Sequence, residues 1–475
     1  MKKIILPIIL LSVGMGFSQT PCDNGMAGSF PCDRYDLQSQ VTINEMNASS
    51  GNDSWGWTDP QDGKEYAIMG LNNGTAFIDI SDPTNPIYLG KLPTHTNNSE
   101  WRDMKTFNNY VFIVAEASSH GMQVFDLTRL RNVANPPETF TEDAHYAGFS
   151  NSHDIAINED TGFAYSLGDN TFSGGGHFID VNDPLNPVAA GGYSGDGYCH
   201  DAQIVTYSGP DSDYTGREIF VGSNANEVVI VDVTDKSNPV GISTISYANI
   251  GYTHQGWFTE DQQYFITTDE ADEVDFGFNT RLIIFDFEDL DNPQFHFDFF
   301  GTTPASDHNV FVKDDIAYLS NYRGGMRAYD VSDIANENMT EVGYFDTWPA
   351  DNNASAFVGD PGAWGVYPYF ESGNIVISNY SDNGGFFLVR DGELSVDTIT
   401  TGIFSVAPNP ATDFVEIRSE EEAISSISIF DVSGKRIYSE ENINAQTKEL
   451  SIASFSKGMY FMTLNNQVTI KILKQ

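Results

Sequence analysis

Basic side chains are scarce in this sequence: 23 Lys and Arg stand against 67 Asp and Glu, a formal net charge of −44 over 475 residues. The imbalance sits between the termini, where residues 19–400 hold 14 basic and 58 acidic groups. A body that negative repels phosphate backbones and anionic lipid, which excludes nucleic acid as a partner and leaves cations or cationic partners open. Long apolar runs are missing too. Beyond the N-terminus no segment approaches the ~20 apolar residues of a spanning helix, so no transmembrane segment is expected. Cysteine is limited to three. Cys22 and Cys32 bracket a Gly-rich loop at a spacing that suits a disulfide in an oxidising compartment, and Cys199, beside His200, is left over as a buried thiol. Among catalytic signatures, a serine-nucleophile elbow, a Walker loop, a paired CxxC and a His-Glu-x-x-His helix are all absent.

What the sequence has in quantity is one phrase, an apolar run closing on Asp, then a turn, then Asn-Pro. It reads Phe77-Ile78-Asp79 before Asn85-Pro86, Phe178-Ile179-Asp180 before Asn186-Pro187, Ile230-Val231-Asp232 before Asn238-Pro239, and Ile284-Phe285-Asp286 before Asn292-Pro293. Degenerate copies end at Asp126 and Asp330. A repeat of about 50 residues made of short β-patterned runs is the signature of propeller blades. Unit openings fall at Trp55, Trp101, His153, His200, His254, His308 and Trp364, which predicts an all-β, seven-bladed β-propeller over 48–392. The last unit supplies three strands only. The β-patterned stretch from Leu37 to Met46 is expected to complete it, so that 19–47 forms a disulfide loop and a closing strand. Lys2, Lys3, the apolar stretch Ile4 to Leu11 and the small residues Gly16 and Ser18 read as a signal peptide over 1–18. After a linker at 393–401, alternating strands separated by turn residues predict a small Ig-like β-sandwich over 402–475.

Two stretches resemble known families. Pro408-Asn-Pro410, Asp431-Val-Ser-Gly-Lys435 and Gly458-Met-Tyr460, in this order, resemble the type A C-terminal sorting domain of the Bacteroidetes type IX secretion system. That resemblance implies passage through the outer membrane, type IX machinery and a sortase as partners, and a product that is secreted or held at the cell surface. Cys22-Asp-Asn-Gly, Trp55-Gly-Trp57, His120-Gly-Met-Gln, His200-Asp-Ala-Gln, Thr253-His-Gln-Gly-Trp257 and Asp307-His-Asn309 resemble the LVIVD-repeat, choice-of-anchor B family of exported proteins. This family implies no agreed activity, and the chain is expected to act as a monomer.

In a propeller the start of each innermost strand and the end of each second strand converge on one rim of the channel. The rim so defined holds His153-Asp154, His200-Asp201, His254-Gln255 and His308-Asn309, with Glu116, Asp169, Asp269 and Glu270 at second-strand ends. Two readings stay open for the imidazoles. They pack between blades as a repeat feature, or with the carboxylates they hold a divalent cation, since transition metals accept mixed N/O ligands. On the second reading His153, His200, His254, His308, Glu116, Asp169, Asp269 and Glu270 are the metal candidates. Arg102 and Arg323 are the two cations expected on this acidic rim, where either could orient a carboxylate ligand. The loop from Asp269 to Asp275 packs five carboxylates, which calcium or open solvation would relieve. The expected function is binding of an extracellular ligand or partner through the His/Asp-rich face. A metal-dependent hydrolase or lyase on the same face is the alternative, with its catalytic residues unassigned.

Overall fold

The computed structural model describes residues 19–351, 353–355, 361–380, 384–392, 404–407, 411–419, 423–431, 435–465 and 468–474. The signal peptide assigned to 1–18, the linker at 393–401, and residues 408–410 and 432–434 of the sorting motifs lie outside the described residues.

The repeated phrase has a local cause. In six units the Asp that closes the apolar run of the third strand turns its carboxylate onto the backbone N–H two residues on: Asp79 on Ser81, Asp126 on Thr128, Asp180 on Asn182, Asp232 on Thr234, Asp286 on Glu288 and Asp330 on Ser332. A second acidic turn follows at once in four units, where Asp82, Asp183, Asp235 and Asp289 accept from Thr84, Leu185, Ser237 and Asp291. The backbone N–H of Asn85, Asn186, Asn238 and Asn292 closes each of these turns, and the proline that follows begins the outer strand without losing a ladder bond. Two chained side-chain turns thus redirect the polypeptide between the third and fourth strands.

Among the described residues, seven sheets share one antiparallel order. The first runs Gly51–Thr58, Glu65–Leu71, Gly74–Asp79 and Ile87–Pro93 from inside to outside. The innermost strands of the other six are Arg102–Phe107, Asp154–Asn158, Asp201–Thr206, Thr253–Phe258, Val310–Lys313 and Ala363–Tyr367. Each innermost strand touches the next, and that of the seventh sheet returns to the first, closing a ring around a channel. Seven apolar clusters are shared between neighbouring sheets, such as Ile219, Val221 and Ile230 of the fourth against Phe265, Ile283 and Phe285 of the fifth. The fold is a β-propeller.

The chain ends meet at the seventh sheet. Its outer strand is Tyr35–Val41, antiparallel to Phe386–Asp391, so the closing strand starts and ends earlier than the sequence pattern places it. Just before it, Phe30–Asp33 and Met26–Ala27 extend the sixth sheet, stapled by the Cys22–Cys32 disulfide. Asp391 is clamped by Arg34, with Nη2 at 2.7 Å.

Residues 392–475 form a second compact unit. A three-stranded sheet (Phe404–Ala407, Phe414–Ser419, Thr447–Ser451) and a four-stranded sheet (Ile424–Asp431, Arg436–Ala445, Gly458–Leu464, Val468–Lys474) share a core of Val415, Ile417, Ile427, Ile429, Met462 and Leu464.

Candidate functional site

The ring of innermost strands brings one residue of each of five consecutive sheets to the channel mouth. His153, His200, His254, His308 and Trp364 stack as a tilted arc, with ring centroids 4.1, 4.5, 4.3 and 4.5 Å apart in that order. Equivalent backbone placement makes the arc regular: the N–H of His153, His200 and His308 each donates to the end of its own second strand, at Leu167, Ser223 and Ser320. Side chains then reach sideways to the next sheet. Nδ1 of His200 meets the carbonyl of His254 at 3.2 Å, Nδ1 of His254 that of His308 at 3.2 Å, and Nδ1 of His308 that of Trp364 at 2.6 Å. A carbonyl only accepts, so Nδ1 carries the hydrogen in all three rings and the lone pair of each neutral imidazole is on Nε2. Burial first, then neighbouring groups of the same arc, holds the pKa of these three far below the ordinary histidine range. Nδ1 of His153, the fourth, lies 2.7 Å from Glu116.

The arc forms one wall of a cavity of 390 Å³, completed by Trp101, Glu116, Tyr198, Tyr252, Glu270 and Asp275 among others. Glu270 reaches it from the end of the fifth sheet's second strand. Its Oε2 stands 3.8 Å from Nε2 of His254, and its Oε1 accepts the Tyr322 hydroxyl. Burial pushes its pKa up to about 7.

One residue deeper lies a polar layer built from Asp53, Asp103, Asp154, Asp201, Gln255 and Asn309 around Lys105. Lys105 Nζ contacts Asp103 at 2.8 and 3.0 Å, stands 3.9 Å from Asp154, and sits 4.6 Å above the Trp55 ring. Four carboxylates thus face one ammonium. Burial raises all four, and Lys105 lowers Asp103 enough to leave it at about 2. Asp201 is raised to about 8, and Asp53 and Asp154 well above the carboxylate range, by burial first and then by neighbouring carboxylates, Asp103 among them. Neighbouring sheets are tied together here, as Asp103 accepts the Ile155 N–H and Gln255 that of Val310.

The structure sorts the sequence candidates. His153, His200, His254, His308, Glu116 and Glu270 share the mouth cavity, while Asp154, Asp201, Gln255 and Asn309 belong to the deeper layer. Asp169 and Asp269 are not with the imidazole arc. Asp169 accepts from Thr171 and Ser166, and Asp269 from the N–H groups of Gly251, Tyr252 and Ala271 and the Tyr247 hydroxyl, so both are consumed in shaping their own loops. Arg102 is a buried group rather than a rim cation: Nε donates to the Leu71 carbonyl and Nη1 lies 3.1 Å from Nε2 of His120. Arg323 pairs with Asp351 at 3.1 Å. The acidic loop is not an open solvated one, for Asp272 and Glu273 are buried and Asp272 pairs with Arg281 at 2.6 Å. Trp55 is not at the mouth either. It stands mid-strand, two residues past Asp53, and faces the opposite end of the channel.

That opposite end holds a cavity of 270 Å³ that sequence reasoning missed, lined by Trp55, Trp257, Phe311, Tyr367 and Tyr369 next to Lys105 and Asp201. A signal for it was present. His254, His308 and Trp364 are each followed three residues later by an aromatic, at Trp257, Phe311 and Tyr367. Cys199 is buried, its thiol bonded to the Asp201 carbonyl and its pKa raised by burial, which makes it inert.

Residues 64–94 and 216–245 match the LVIVD repeat, each spanning a second strand, a third strand and an outer strand with the Asp turns between. The chain thus carries LVIVD repeats. Residues 405–475 match the secretion system C-terminal sorting domain. The protein is therefore exported and handled by type IX secretion, to be secreted or displayed at the cell surface. Among the described residues no helix is long and apolar enough to cross a membrane. No curated protein matches the chain. Among solved structures it is similar to the β-propeller domain of Myceliophteria thermophila Cps50 (Swd1), at 9% identity and TM-score 0.49 over 75% of this chain and 98% of that one. It is also similar to a protein from Lactobacillus plantarum, at 12% identity and TM-score 0.45 over 85% and 99%.

Proposed function

We propose that this exported propeller captures a small extracellular ligand in the cavity at its histidine face. The observation that carries the reading is the imidazole arc: three rings with Nδ1 committed to backbone and Nε2 uncommitted to it, set in a wall with Trp101 and Trp364. Apolar faces with a few convergent polar atoms are the usual makeup of a small-molecule site. Tyr198, Tyr252, Glu116 and Glu270 give the same cavity hydroxyl and carboxylate partners. Removal of residues 402–475 by a sortase, after cleavage of residues 1–18, belongs to this reading and leaves a monomeric propeller as the mature protein.

Binding is tested by screening sugars, amino acids, nucleosides and dicarboxylates against the purified chain, reading tryptophan fluorescence because Trp101 and Trp364 wall the cavity. Quenching by one class that is lost in His200→Ala and in Tyr198→Ala, with the fold intact, supports the reading. No response from any class, or a response unchanged in both variants, counts against it. A hydrolase or lyase on this face is the second reading, favoured by Glu270, whose carboxyl titrates near neutrality beside His254 and so suits proton transfer. Turnover of a captured compound that disappears in Glu270→Gln would select it.

A further inference from the structure

Where the fifth and sixth sheets meet at the channel mouth, donor atoms of His254, Glu270 and His308 all lie within 4.8 Å of one another, and all three residues are buried. The surroundings already orient them as ligands. His254 and His308 donate from Nδ1 to backbone carbonyls, which leaves Nε2 as the coordinating nitrogen of each ring. The Tyr322 hydroxyl occupies Oε1 of Glu270, leaving Oε2 as the carboxylate oxygen nearest Nε2 of His254. Metal-binding imidazoles characteristically have their second nitrogen fixed by a carbonyl or carboxylate, and ligating carboxylates are themselves hydrogen-bonded.

We propose that His254, His308 and Glu270 hold one divalent transition-metal ion of the Zn²⁺ class, with an open coordination position facing the 390 Å³ cavity. Two imidazole nitrogens and one carboxylate oxygen suit such a metal, whereas Ca²⁺ takes oxygen ligands throughout. Metal–ligand distances of about 2.0–2.2 Å put neighbouring donors about 3.3 Å apart around a tetrahedral ion. The donors, 3.8 Å apart between His254 and Glu270 and within 4.8 Å of one another overall, draw in by at most about 1.5 Å to close around such an ion. Three protein donors plus a vacant position facing a cavity is the arrangement of ions that bind or activate a ligand, while structural zinc sites are closed by four. The inference rests on reading this face as the binding surface, and it gives that surface the means to hold an anionic or carbonyl-bearing ligand.

The test uses the full chain, dialysed against chelator, titrated with ZnCl₂ by calorimetry and with CoCl₂ by visible absorption. One ion per chain is expected. Glu270→Gln and His308→Gln should each weaken binding at least tenfold, and Tyr322→Phe roughly tenfold through the carboxylate it orients. His95→Ala should bind as wild type does, because that imidazole is exposed, pairs with Glu142 and does not line the mouth cavity. Should the ligand variants fail to fold, visible bands of a cobalt ion in low coordination on the wild-type chain support the site without them. Absence of stoichiometric uptake by wild type overturns the proposal, and so does equal uptake in folded Glu270→Gln and His308→Gln. The two readings of this face fail separately. Ligand capture that persists after chelation removes the metal and leaves the pocket, whereas metal uptake with no organic ligand captured does the reverse.

Discussion

Lys105→Met is the substitution that asks most of this fold. Lys105 supplies the ammonium at the centre of the deeper channel layer, with Asp103 at 2.8 Å, Asp154 at 3.9 Å, and Asp53 and Asp201 close enough to raise its pKa. Met keeps the length of the stem and its packing on Trp55 while removing the charge. Breaking a buried pair by deleting one partner leaves an uncompensated charge and costs about 3–5 kcal/mol. Asp103 carries most of that here, since it is the carboxylate the lysine lowers to about 2 despite complete burial. The loss should be pH-dependent in sign and size. Without the ammonium the aspartates escape repulsion only by taking protons, so the variant should approach wild type near pH 5 and fall furthest behind near pH 8. Asp103→Asn added to Lys105→Met should recover part of the loss, as the pair goes together. Urea unfolding followed by tryptophan fluorescence reads this cleanly, because all six tryptophans lie between residues 55 and 364 and none in 392–475. A variant within about 0.5 kcal/mol of wild type at pH 8, or one equally weakened at pH 5 and pH 8, would refute the account.

The wild-type propeller, kept free of divalent metal, should itself lose stability as pH rises from about 6.5 to 8. Asp201 is raised to about 8, mainly by burial, so the native state holds a proton that the unfolded chain has already released. Below about pH 6.5 the buried neutral imidazoles of His200, His254 and His308 act in the opposite sense, since the unfolded chain protonates its histidines there and the fold does not. Asp53, Asp103, Asp154 and Lys105 face Asp201; a transition midpoint that climbs between pH 7 and pH 8 would contradict this. Deleting residues 19–41 removes the outer strand of the seventh sheet and should produce aggregation or a melting point lowered by many degrees, measured by light scattering and fluorescence. Unaltered melting would show that the strand is not needed for closure. Mass spectrometry of the protein recovered from the cell surface or medium should find no peptides from 402–475, and intact residues 402–475 there would argue against sortase removal.

The repeat was legible because its cause is local: an Asp side chain capping a turn two residues away needs nothing beyond its own segment, so every copy shows in sequence. The imidazole arc was legible for a related reason, as aligned units put His153, His200, His254 and His308 at one height. Local pattern failed where side chains from several sheets converge. Nothing near Lys105 announces that it will meet aspartates carried by neighbouring sheets, and nothing around Asp169 or Asp269 shows that backbone N–H groups of their own loops will claim them. Trp55 reads as a unit opening in the sequence, yet it stands two residues past Asp53 as Trp257 stands two past Gln255 and Phe311 two past Asn309, so its indole lies at the far end among Phe311, Tyr367 and Tyr369. Arg102 misled in another way, since charge suggested solvent and the side chain is nearly fully buried.

The seam between Tyr35–Val41 and Phe386–Asp391 sets a timetable. Residues that leave a ribosome or a pore first must wait, unpaired, for those that leave more than three hundred positions later. Each intervening sheet can form as it emerges, but no partial product is a ring, and a chain stopped anywhere short of Asp391 keeps two raw edges. The last strand to arrive is followed immediately by the sorting domain, so an intact tail certifies that the segment needed to lock the circle has been made. Secretion addressed through that tail would thus select complete propellers, with Arg34 and Asp391 as the clasp fastened just before the address label begins.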